Sequence, residues 1–371
     1  MNDMLNETVN AAAEETAEVI AEEAAGINTE IVSDESENLL EVKDLTVEFH
    51  TDSGIVQAIN GLSFSLKAGE TVGLVGETGA GKTTTALAIM GLINCPPGFY
   101  KSGEIIYKGK DLMKIPESEY LKIRGREISM IFQDPMTALN PVMPVIDQIS
   151  EVIKNHKHVS AKEAREEAIE MLKVVRIPPE RADEYPHQFS GGMRQRIVIA
   201  IALACNPALL IADEPTTALD VTIQAQVLEM MRELRDNFNT SMIMITHDFG
   251  VVAETCDKVA IVYAGEVLES GTKRDIFKNP SHPYTVGLFG AIPNLNEDTE
   301  FLYQIEGLMP DPMDLPKGCP FAPRCSYAKD ICHAEKPCVS RLPGEEHVVK
   351  CHKYTGSDEN QEIVNEEWRD E

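Results

Sequence analysis

A glycine-rich loop at residues 76–83 has the residue types and spacing of a phosphate-binding site. Gly76, Gly79 and Gly81 precede Lys82 and Thr83 in the pattern GxxxxGK(S/T), after an apolar strand-like run and before a helical one. Glycines let backbone N–H groups converge on one concavity, where they and a helix N-terminus hold a triphosphate. We expect Lys82 to reach the β- and γ-phosphates and Thr83 to offer its hydroxyl to Mg²⁺.

Two adjacent carboxylates, Asp213 and Glu214, follow the apolar run Leu209–Ala212. The carboxyl end of a strand in a parallel sheet faces the ligand crevice. One acid there suits Mg²⁺, through water, and the other can orient and polarise the water that attacks a γ-phosphate. Alone, such a pair is equally typical of a helix cap or turn. With a phosphate loop in the same chain, we interpret it as catalytic.

A cluster of five cysteines near the C-terminus has the residue types of a metal site. The spacing C-x5-C-x6-C-x5-C-x12-C has none of the C-x2-C pairs of most structural zinc sites. The chain shows no secretion signal, so we expect a reducing compartment, which disfavours disulfides. Thiolates select iron–sulfur clusters or zinc, and the residues favour the cluster, with zinc or unliganded thiols as alternatives. The five are Cys319, Cys325, Cys332, Cys338 and Cys351.

The elements that position these residues follow an α/β pattern. From Leu39 onward, short β-branched runs alternate with helical stretches, which predicts a largely parallel sheet. The predicted strands are LLEVKDLTVEF, INGLSFSL, TVGLVG, GEIIYKG, EISMIFQ, ALLIAD, TSMIMIT and KVAIVYAG.

Two stretches depart from this pattern. Between residues 134 and 190 the strand signal stops, and Ser160 with Glu163 forms a capping box before apolar residues at helical spacing, which predicts an all-helical insertion. After about residue 270, Pro, Gly and Cys become dense through His352, which predicts a small C-terminal module.

Charge is concentrated at the two ends of the chain. Of 371 residues, 33 are Lys or Arg and 61 are Asp or Glu, a formal charge of −28 that repels a phosphate backbone and excludes non-specific nucleic-acid binding. Residues 1–38 hold eleven acids and no base, and residues 356–371 hold seven acids and one Arg, so both are expected to be acidic tails outside the fold. No apolar run reaches the roughly 20 residues of a membrane span, and we expect a cytosolic chain.

The order of motifs along the chain resembles the nucleotide-binding domain of ABC transporters. After the phosphate loop come Gln133 in IFQDP, FSGGMRQ at residues 189–195, Asp213-Glu214, ALD at 218–220 and His247 in ITHD. The resemblance covers residues 39–270 and implies a P-loop NTPase fold. That fold has a RecA-like core, an antiparallel β subdomain and a helical subdomain at about 134–190.

The resemblance also implies residue roles. Phe49 would stack on adenine, Glu214 would act as general base and His247 would contact the γ-phosphate. The residues implied to bind phosphates and Mg²⁺ are the loop glycines, Lys82, Thr83, Thr84, Gln133 and Asp213, with Thr83, Gln133 and Asp213 nearest the metal. The signature residues Ser190, Gly191 and Gly192 would complete the site of an opposing cassette, with Asp220 spanning the interface. Phe189 and Met193 replace the usual Leu and Gln of that signature.

Further stretches resemble the ATP-binding subunits of dipeptide and oligopeptide importers and extend the match to about residue 354. They are QDPMTALNP, NPSHPYTVGLFGAIP and GCPFAPRCSYAKDIC. This branch implies a C-terminal cysteine module at 271–355 whose ligands are Cys319, Cys325, Cys332 and Cys351, holding an iron–sulfur cluster of the 4Fe–4S type. Cys338 would be a bystander, or else a substitute fourth ligand. Neither acidic tail belongs to the branch pattern.

The resemblance implies an ATPase that energises peptide uptake from the cytoplasmic face of the cell membrane. Its partners would be two permease subunits, a second and non-identical ATPase and, indirectly, an external binding protein. Importers of nickel complexes or oligosaccharides have similar cassettes, and these substrates stay open. The chromosome and DNA-repair ATPases share the site chemistry. They need long coiled-coil arms, for which the roughly 57 residues between Gln133 and Ser190 are too few.

Overall fold

The computed structural model describes residues 38–217, 219–291, 304–344, 346–357, 361, 363–365 and 368. They form two compact units. A helical unit comprises residues 135–206 and 219–239, and an α/β unit comprises the other described residues. The predicted tail at 1–38 lies almost wholly outside the described residues and stays a prediction.

The α/β unit has twelve strands among its described residues. They are β1 (Asn38–Thr51), β2 (Gly54–Lys67), β3 (Thr71–Val75), β4 (Gly98–Tyr107), β5 (Lys110–Asp111), β6 (Ile128–Ile131), β7 (Leu209–Asp213), β8 (Ser241–Thr246), β9 (Lys258–Tyr263), β10 (Glu266–Thr272), β11 (Val339–Arg341) and β12 (Val348–Lys350). One sheet has the order β11-β12-β10-β9-β3-β8-β7-β6, and a second has the order β2-β1-β4-β5.

The centre of the larger sheet is parallel and buried, as the alternating pattern predicts. Strands β9, β3, β8, β7 and β6 run parallel, and β3, β7 and β8 are buried along their whole length. Val75 pairs with Thr246, and Asp213 pairs with Ile245. Because β3, β8 and β7 end level with one another, the phosphate loop, His247 and Glu214 leave the sheet at the same edge.

Helices of the α/β unit connect and flank these strands. They are α1 (Lys82–Ile89), α2 (Glu117–Ile123), α8 (Phe249–Thr255), α9 (Lys273–Lys278), α10 (Pro283–Gly290) and α11 (Asp330–Ala334). The antiparallel sheet shares one apolar core with the larger sheet, in which Leu40, Leu62 and Ile105 of the former lie with Leu74 and Ile243 of the latter. This is the cassette core that the resemblance implies.

The helical unit consists of α3 (Pro135–Ala138), α4 (Val145–Lys157), α5 (Ala161–Val174), α6 (Gly191–Leu203) and α7 (Val221–Phe238). The capping box at α5 is confirmed, because the Ser160 hydroxyl accepts from the Glu163 N–H and the Glu163 carboxylate accepts from the Ser160 N–H. The unit continues past the predicted end at residue 190, since α6 packs against α3, α4, α5 and α7. No helix of the described residues is long and apolar enough to cross a membrane.

Residues near the C-terminus join the fold more closely than predicted. Strands β11 and β12 extend the larger sheet, with Glu269 of β10 opposite Val349 of β12. The sequence did not single out β10, because carboxylates occupy two of its buried positions, Glu266 and Glu269. Trp368 is 4% exposed and donates its indole N–H to the Tyr327 carbonyl at 2.9 Å. The expectation that residues 356–371 lie outside the fold is therefore wrong for this residue.

Candidate nucleotide site and cysteine cavity

The phosphate loop connects β3 to α1 and encloses its own lysine. Lys82 is 6% exposed, and its Nζ donates to the carbonyl oxygens of Gly76 at 2.7 Å and Glu77 at 2.9 Å. Burial lowers the pKa of the Lys82 ammonium, and the nearby Glu214, Asp213 and Glu77 oppose that shift. The loop thus holds a desolvated cation where a triphosphate would sit.

Two glycines of the loop are required by close backbone approaches. A Cβ on Gly76 would lie 2.0 Å from the Val262 carbonyl oxygen, and a Cβ on Gly81 would lie 2.5 Å from that of Ala58. Gly81 also has φ +99°, a left-handed conformation that side chains rarely adopt. The strand-to-helix turn can therefore form only with glycine at these positions.

Asp213 ends β7 as a buried carboxylate beside the threonine of the loop. Its Oδ1 accepts from the Thr83 hydroxyl at 3.2 Å, and the residue is 2% exposed. Burial raises the pKa of the Asp213 carboxyl, and the Glu214 charge adds to the shift, whereas Thr83 and Lys82 oppose it. A hydroxyl and an anionic oxygen side by side are ligands that Mg²⁺ prefers, so the pair fits the metal.

Glu214 stands at a strained backbone position and is held by three side chains. It has φ +46°, which is unusual for a residue other than glycine, and its N–H donates to the Ile245 carbonyl at 2.9 Å. Its carboxylate accepts from Gln133 Nε2 at 2.8 Å and from the Thr217 hydroxyl at 3.0 Å, and lies 3.3 Å from His247 Nδ1. Burial raises the Glu214 pKa, but the hydrogen bonds from Thr217 and His247, together with the charges of His247 and Lys82, lower it overall.

Most of these residues line one cavity of about 280 Å³ in the α/β unit, whereas Asp213 and Gly76 are not part of its wall. Its wall includes the predicted Gly79, Gly81, Lys82, Thr83, Thr84, Gln133, Glu214 and His247. Sequence reasoning missed Pro310 and Pro312, which also line it; the Pro312 carbonyl accepts from the Gln57 N–H at 2.9 Å. Phe49 does not line the cavity and instead packs beside the apolar core, so its adenine-stacking role stays a prediction.

The signature residues belong to the helical unit and shape the start of α6. The Ser190 hydroxyl caps the helix by accepting from the Met193 N–H at 3.4 Å. A Cβ on Gly192 would lie 2.4 Å from Ile223 Cγ2, so glycine is needed where α6 meets α7. Asp220 caps α7 by accepting from the Ile223 N–H at 3.0 Å. Gly191, in contrast, has open space around its Cα.

The two departures from the usual signature contact the same cation. Phe189 is 2% exposed, and the Arg181 guanidinium lies 4.3 Å from its ring centroid. Arg181 also donates to Met193 Sδ at 3.4 Å. The substitutions therefore form one packed group, which the motif pattern alone could not reveal.

Four cysteines line a second cavity, in the C-terminal part of the α/β unit, and they are the four that the resemblance implies. Cys319, Cys325, Cys332 and Cys351 surround it, whereas Cys338 is exposed and does not line it. The Cys319 N–H donates to the Cys332 carbonyl at 2.8 Å, which brings these two residues together. None of the cysteines forms a disulfide.

The cavity is an apolar setting for thiols. Burial raises the pKa of Cys319 and of Cys351 to about 12, and the neighbouring thiols contribute to both shifts. His282 and Trp368 also line the cavity, and burial lowers the pKa of His282 to about 4. Among the described residues, no group of three or more His, Cys, Asp or Glu side chains is arranged to hold a metal ion.

An ion pair connects the cysteine segment to the phosphate loop. Arg324, next to Cys325, donates to the Glu77 carboxylate at 2.9 and 3.2 Å and to the Tyr263 hydroxyl at 3.3 Å. The Glu77 N–H donates to the Tyr284 hydroxyl at 3.0 Å. Sequence reasoning missed these partners, since nothing local marks pairs separated by 61 to 247 residues.

Comparisons with known proteins agree with this geometry. A family model described as ABC transporter matches residues 59–217. In structure, the chain is similar to MJ0796, described as a bacterial ABC transporter cassette in a dimeric structure, with a TM-score of 0.57 and 28% identity over 63% of this chain and 98% of that one. It is also similar to cbiO1 from Clostridium perfringens, with a TM-score of 0.57, 28% identity and coverage of 66% and 92%. The fold and the site thus define an ABC-type ATPase.

Further matches show to which family of ABC-type ATPases the chain belongs. A model for the C-terminal region of oligopeptide/dipeptide transporters matches residues 268–332. The chain is 54% identical over 315 residues to the oligopeptide transport ATP-binding protein OppD of Bacillus subtilis, covering 84% of this chain and 88% of that protein. It is 51% identical over 319 residues to the dipeptide transport ATP-binding protein DppD of Bacillus subtilis, covering 85% and 94%. The chain belongs to this family of oligopeptide and dipeptide transport ATP-binding proteins.

Proposed function

We propose that the chain is the ATP-hydrolysing subunit of an importer for dipeptides or oligopeptides. The observation that carries the proposal is the convergence of Lys82, Thr83, Gln133, Glu214 and His247 on one cavity, in a member of a peptide-transport family. The subunit acts at the cytoplasmic face of the membrane with two permease subunits, and an external binding protein delivers the peptide.

The side chains of the candidate site have distinct roles in phosphoryl transfer. Lys82 neutralises the β- and γ-phosphates, and Thr83, Asp213 and Gln133 hold Mg²⁺, which supplies charge neutralisation when bound. Glu214, whose pKa is lowered from an ordinary value of 4.5, is ionised at neutral pH and can accept a proton from the attacking water. His247, beside Glu214, contacts the γ-phosphate.

Completion of the site requires a second cassette. Ser190, Gly191 and Gly192 contact the nucleotide bound by a partner, and Asp220 lies at the interface, so that ATP joins two cassettes and hydrolysis releases them. We propose that the partner is a second, non-identical ATPase. The capped, glycine-containing start of α6 supports this role, since it offers backbone N–H groups to phosphate.

Uptake measurements test the function. In cells lacking the gene, the wild-type chain should restore accumulation of a radiolabelled dipeptide or oligopeptide, whereas Glu214→Gln should not. Its ATP turnover should fall by ~10²-fold or more with nucleotide binding preserved, because the base is lost but the phosphate contacts remain.

Glu229→Gln, at an exposed position on α7, is the matched control and should behave as the wild type. Restored uptake of a nickel complex or an oligosaccharide, and not of peptides, would reassign the substrate. Unchanged turnover of Glu214→Gln would remove Glu214 from its role.

We also propose that residues 271–355 act as a cofactor module in which Cys319, Cys325, Cys332 and Cys351 hold an iron–sulfur cluster of the 4Fe–4S type. Four thiols around one cavity fit such a cluster. A tetrahedral zinc ion would need its sulfur atoms about 3.8 Å apart, given Zn–S bonds of about 2.3 Å. Zinc is the second candidate for the same four thiols, and iron and sulfide analysis distinguishes the two.

Anaerobic purification tests the cofactor. The wild-type protein should be brown, with broad absorbance near roughly 400 nm and stoichiometric iron and sulfide. Cys332→Ser should lose the colour, whereas the control Cys338→Ser, at an exposed cysteine outside the cavity, should keep it. A colourless wild-type protein with stoichiometric zinc would overturn the assignment.

A further inference from the structure

His282 lies in the wall of the cysteine cavity and has one ring nitrogen without a partner. The residue is 1% exposed, and it lines the cavity with the four cysteines. Within the described part of the chain, its Nε2 atom has no hydrogen-bond partner. Because an unsatisfied buried polar group destabilises a fold, such an atom points to a ligand that completes it.

The other ring nitrogen determines what Nε2 can do. His282 precedes α10, and its Nδ1 accepts from the Tyr284 backbone N–H at 3.0 Å as the helix cap. A nitrogen that accepts a hydrogen bond carries no proton, so the neutral ring has its proton on Nε2. Nε2 is therefore a hydrogen-bond donor and has no lone pair with which to bind a metal.

The cavity offers sulfur atoms as acceptors. The second histidine in its wall, His352, already has a partner for Nε2 in the Glu335 carbonyl at 3.0 Å. The indole N–H of Trp368 likewise donates elsewhere, to the Tyr327 carbonyl. His282 thus has a donor with no assigned use next to four potential cluster ligands.

We propose that His282 donates an Nε2–H hydrogen bond to a sulfur atom of the cysteine-bound iron–sulfur cluster and stabilises its reduced form. Reduction adds negative charge to the cluster, and hydrogen bonds to its sulfur atoms favour the more negative state, which raises the reduction potential. His282 is a positioning and tuning residue here, not a ligand. The inference rests on the cofactor proposed above.

Two variants distinguish the hydrogen-bond donor of His282, Nε2–H, from its helix-capping acceptor, Nδ1. In His282→Asn, the side-chain oxygen can still accept from the Tyr284 N–H, but no donor reaches the position of Nε2. In His282→Gln, an amide N–H group lies near that position, and the cap is lost. Anaerobic reductive titration of the full chain, followed by visible absorbance and EPR, measures the midpoint potential of each.

We expect reduction of the Asn variant to be roughly tenfold less favourable than that of the wild type, a shift of about 59 mV to more negative potential for one electron. The Gln variant should stay near the wild-type potential. An unchanged potential in the Asn variant, or an equal shift in both variants, overturns the role of His282.

A measurement on the wild type covers the case in which a variant fails to assemble its cluster. In protein labelled with [15N]histidine, pulsed EPR of the reduced cluster should detect weak coupling to one imidazole nitrogen. Its absence overturns the hydrogen bond. Wild-type protein that lacks iron and sulfide overturns the cofactor together with this inference, whereas an assembled cluster with no coupling and no shift overturns His282 alone.

Discussion

The residues of the nucleotide site are held in states that cost folding free energy. Asp213 is buried next to the charged Glu214, and Glu214 has a left-handed backbone. Burial of a carboxylate is unfavourable unless hydrogen bonds or a cation offset it, and Thr83 and Lys82 do so only in part, since the Asp213 pKa remains raised. These costs agree with the role proposed for Asp213, which is to present a charged oxygen to Mg²⁺.

Replacement of the Asp213 carboxylate should therefore raise the free energy of unfolding and lower ATP hydrolysis. We expect Asp213→Asn to raise the free energy of unfolding of the nucleotide-free chain by about 0.5–2 kcal/mol and to abolish Mg²⁺-dependent ATP hydrolysis. Urea denaturation and turnover measure the two effects. Thr83→Ser, which keeps the hydroxyl, is the control for the metal contact.

The difference in stability between the wild type and Asp213→Asn should depend on pH in a defined direction. Because the folded pKa of Asp213 lies above its ordinary value of 3.8, the wild type loses stability relative to the Asn variant as pH rises through the interval between the two values. Above that interval the difference should be constant. A variant less stable than the wild type at neutral pH would contradict the argument.

At the scale of elements, a short turn in the cysteine segment supports the phosphate loop. Residues Ala322–Arg324 form a 3₁₀ turn that ends at Cys325. The turn places Arg324, whose side chain is 6% exposed, against Glu77 of the loop. Arg324 also donates to the carbonyls of Glu306 at 3.0 Å and Ile305 at 3.3 Å, which fixes its direction.

We expect Arg324→Gln to lower the free energy of unfolding by about 2 kcal/mol and to weaken ATP binding, because the loop loses a buried ionic partner. A double-mutant cycle with Glu77→Gln should give a coupling energy of about 1–3 kcal/mol. Denaturation and binding of a fluorescent ATP analogue provide the readouts. Arg274→Gln, on α9, is the control at an exposed arginine. If the effects of Arg324→Gln and Glu77→Gln on the free energy of unfolding were additive, the ion pair would not couple the two residues.

At the scale of the whole molecule, the residues proposed to contact ATP belong to two different units. The phosphate loop and its carboxylates belong to the α/β unit, and the signature belongs to the helical unit. In the function proposed above, the site of one cassette is completed by the signature of a second cassette.

Trapped ATP should therefore join two ATPases. We expect Glu214→Gln, mixed with the second ATPase of its transporter, to form a 1:1 complex with MgATP but not with MgADP, detected by light scattering. Lys82→Met should abolish the complex, since the phosphates lose their cation. A mass that stays that of the separate subunits under saturating MgATP would contradict the shared site.

The sequence by itself determined the features that depend on neighbouring residues. The phosphate loop, the capping box at Ser160 and the buried parallel strands are recognisable because loop, helix and central strand each impose a local pattern. The order of the site motifs is also read from the sequence, and the resemblance that it carries adds the choice of the four cysteines that line one cavity.

Only the tertiary structure decided which distant residues share a site. It pairs Arg324 with Glu77, places His282 and Trp368 beside the cysteines, groups Phe189 and Met193 around Arg181, and turns Phe49 toward the apolar core. These contacts join residues far apart in the chain or on different elements. Burial and donor geometry arise only when the chain is folded, so no local pattern of residues can encode them.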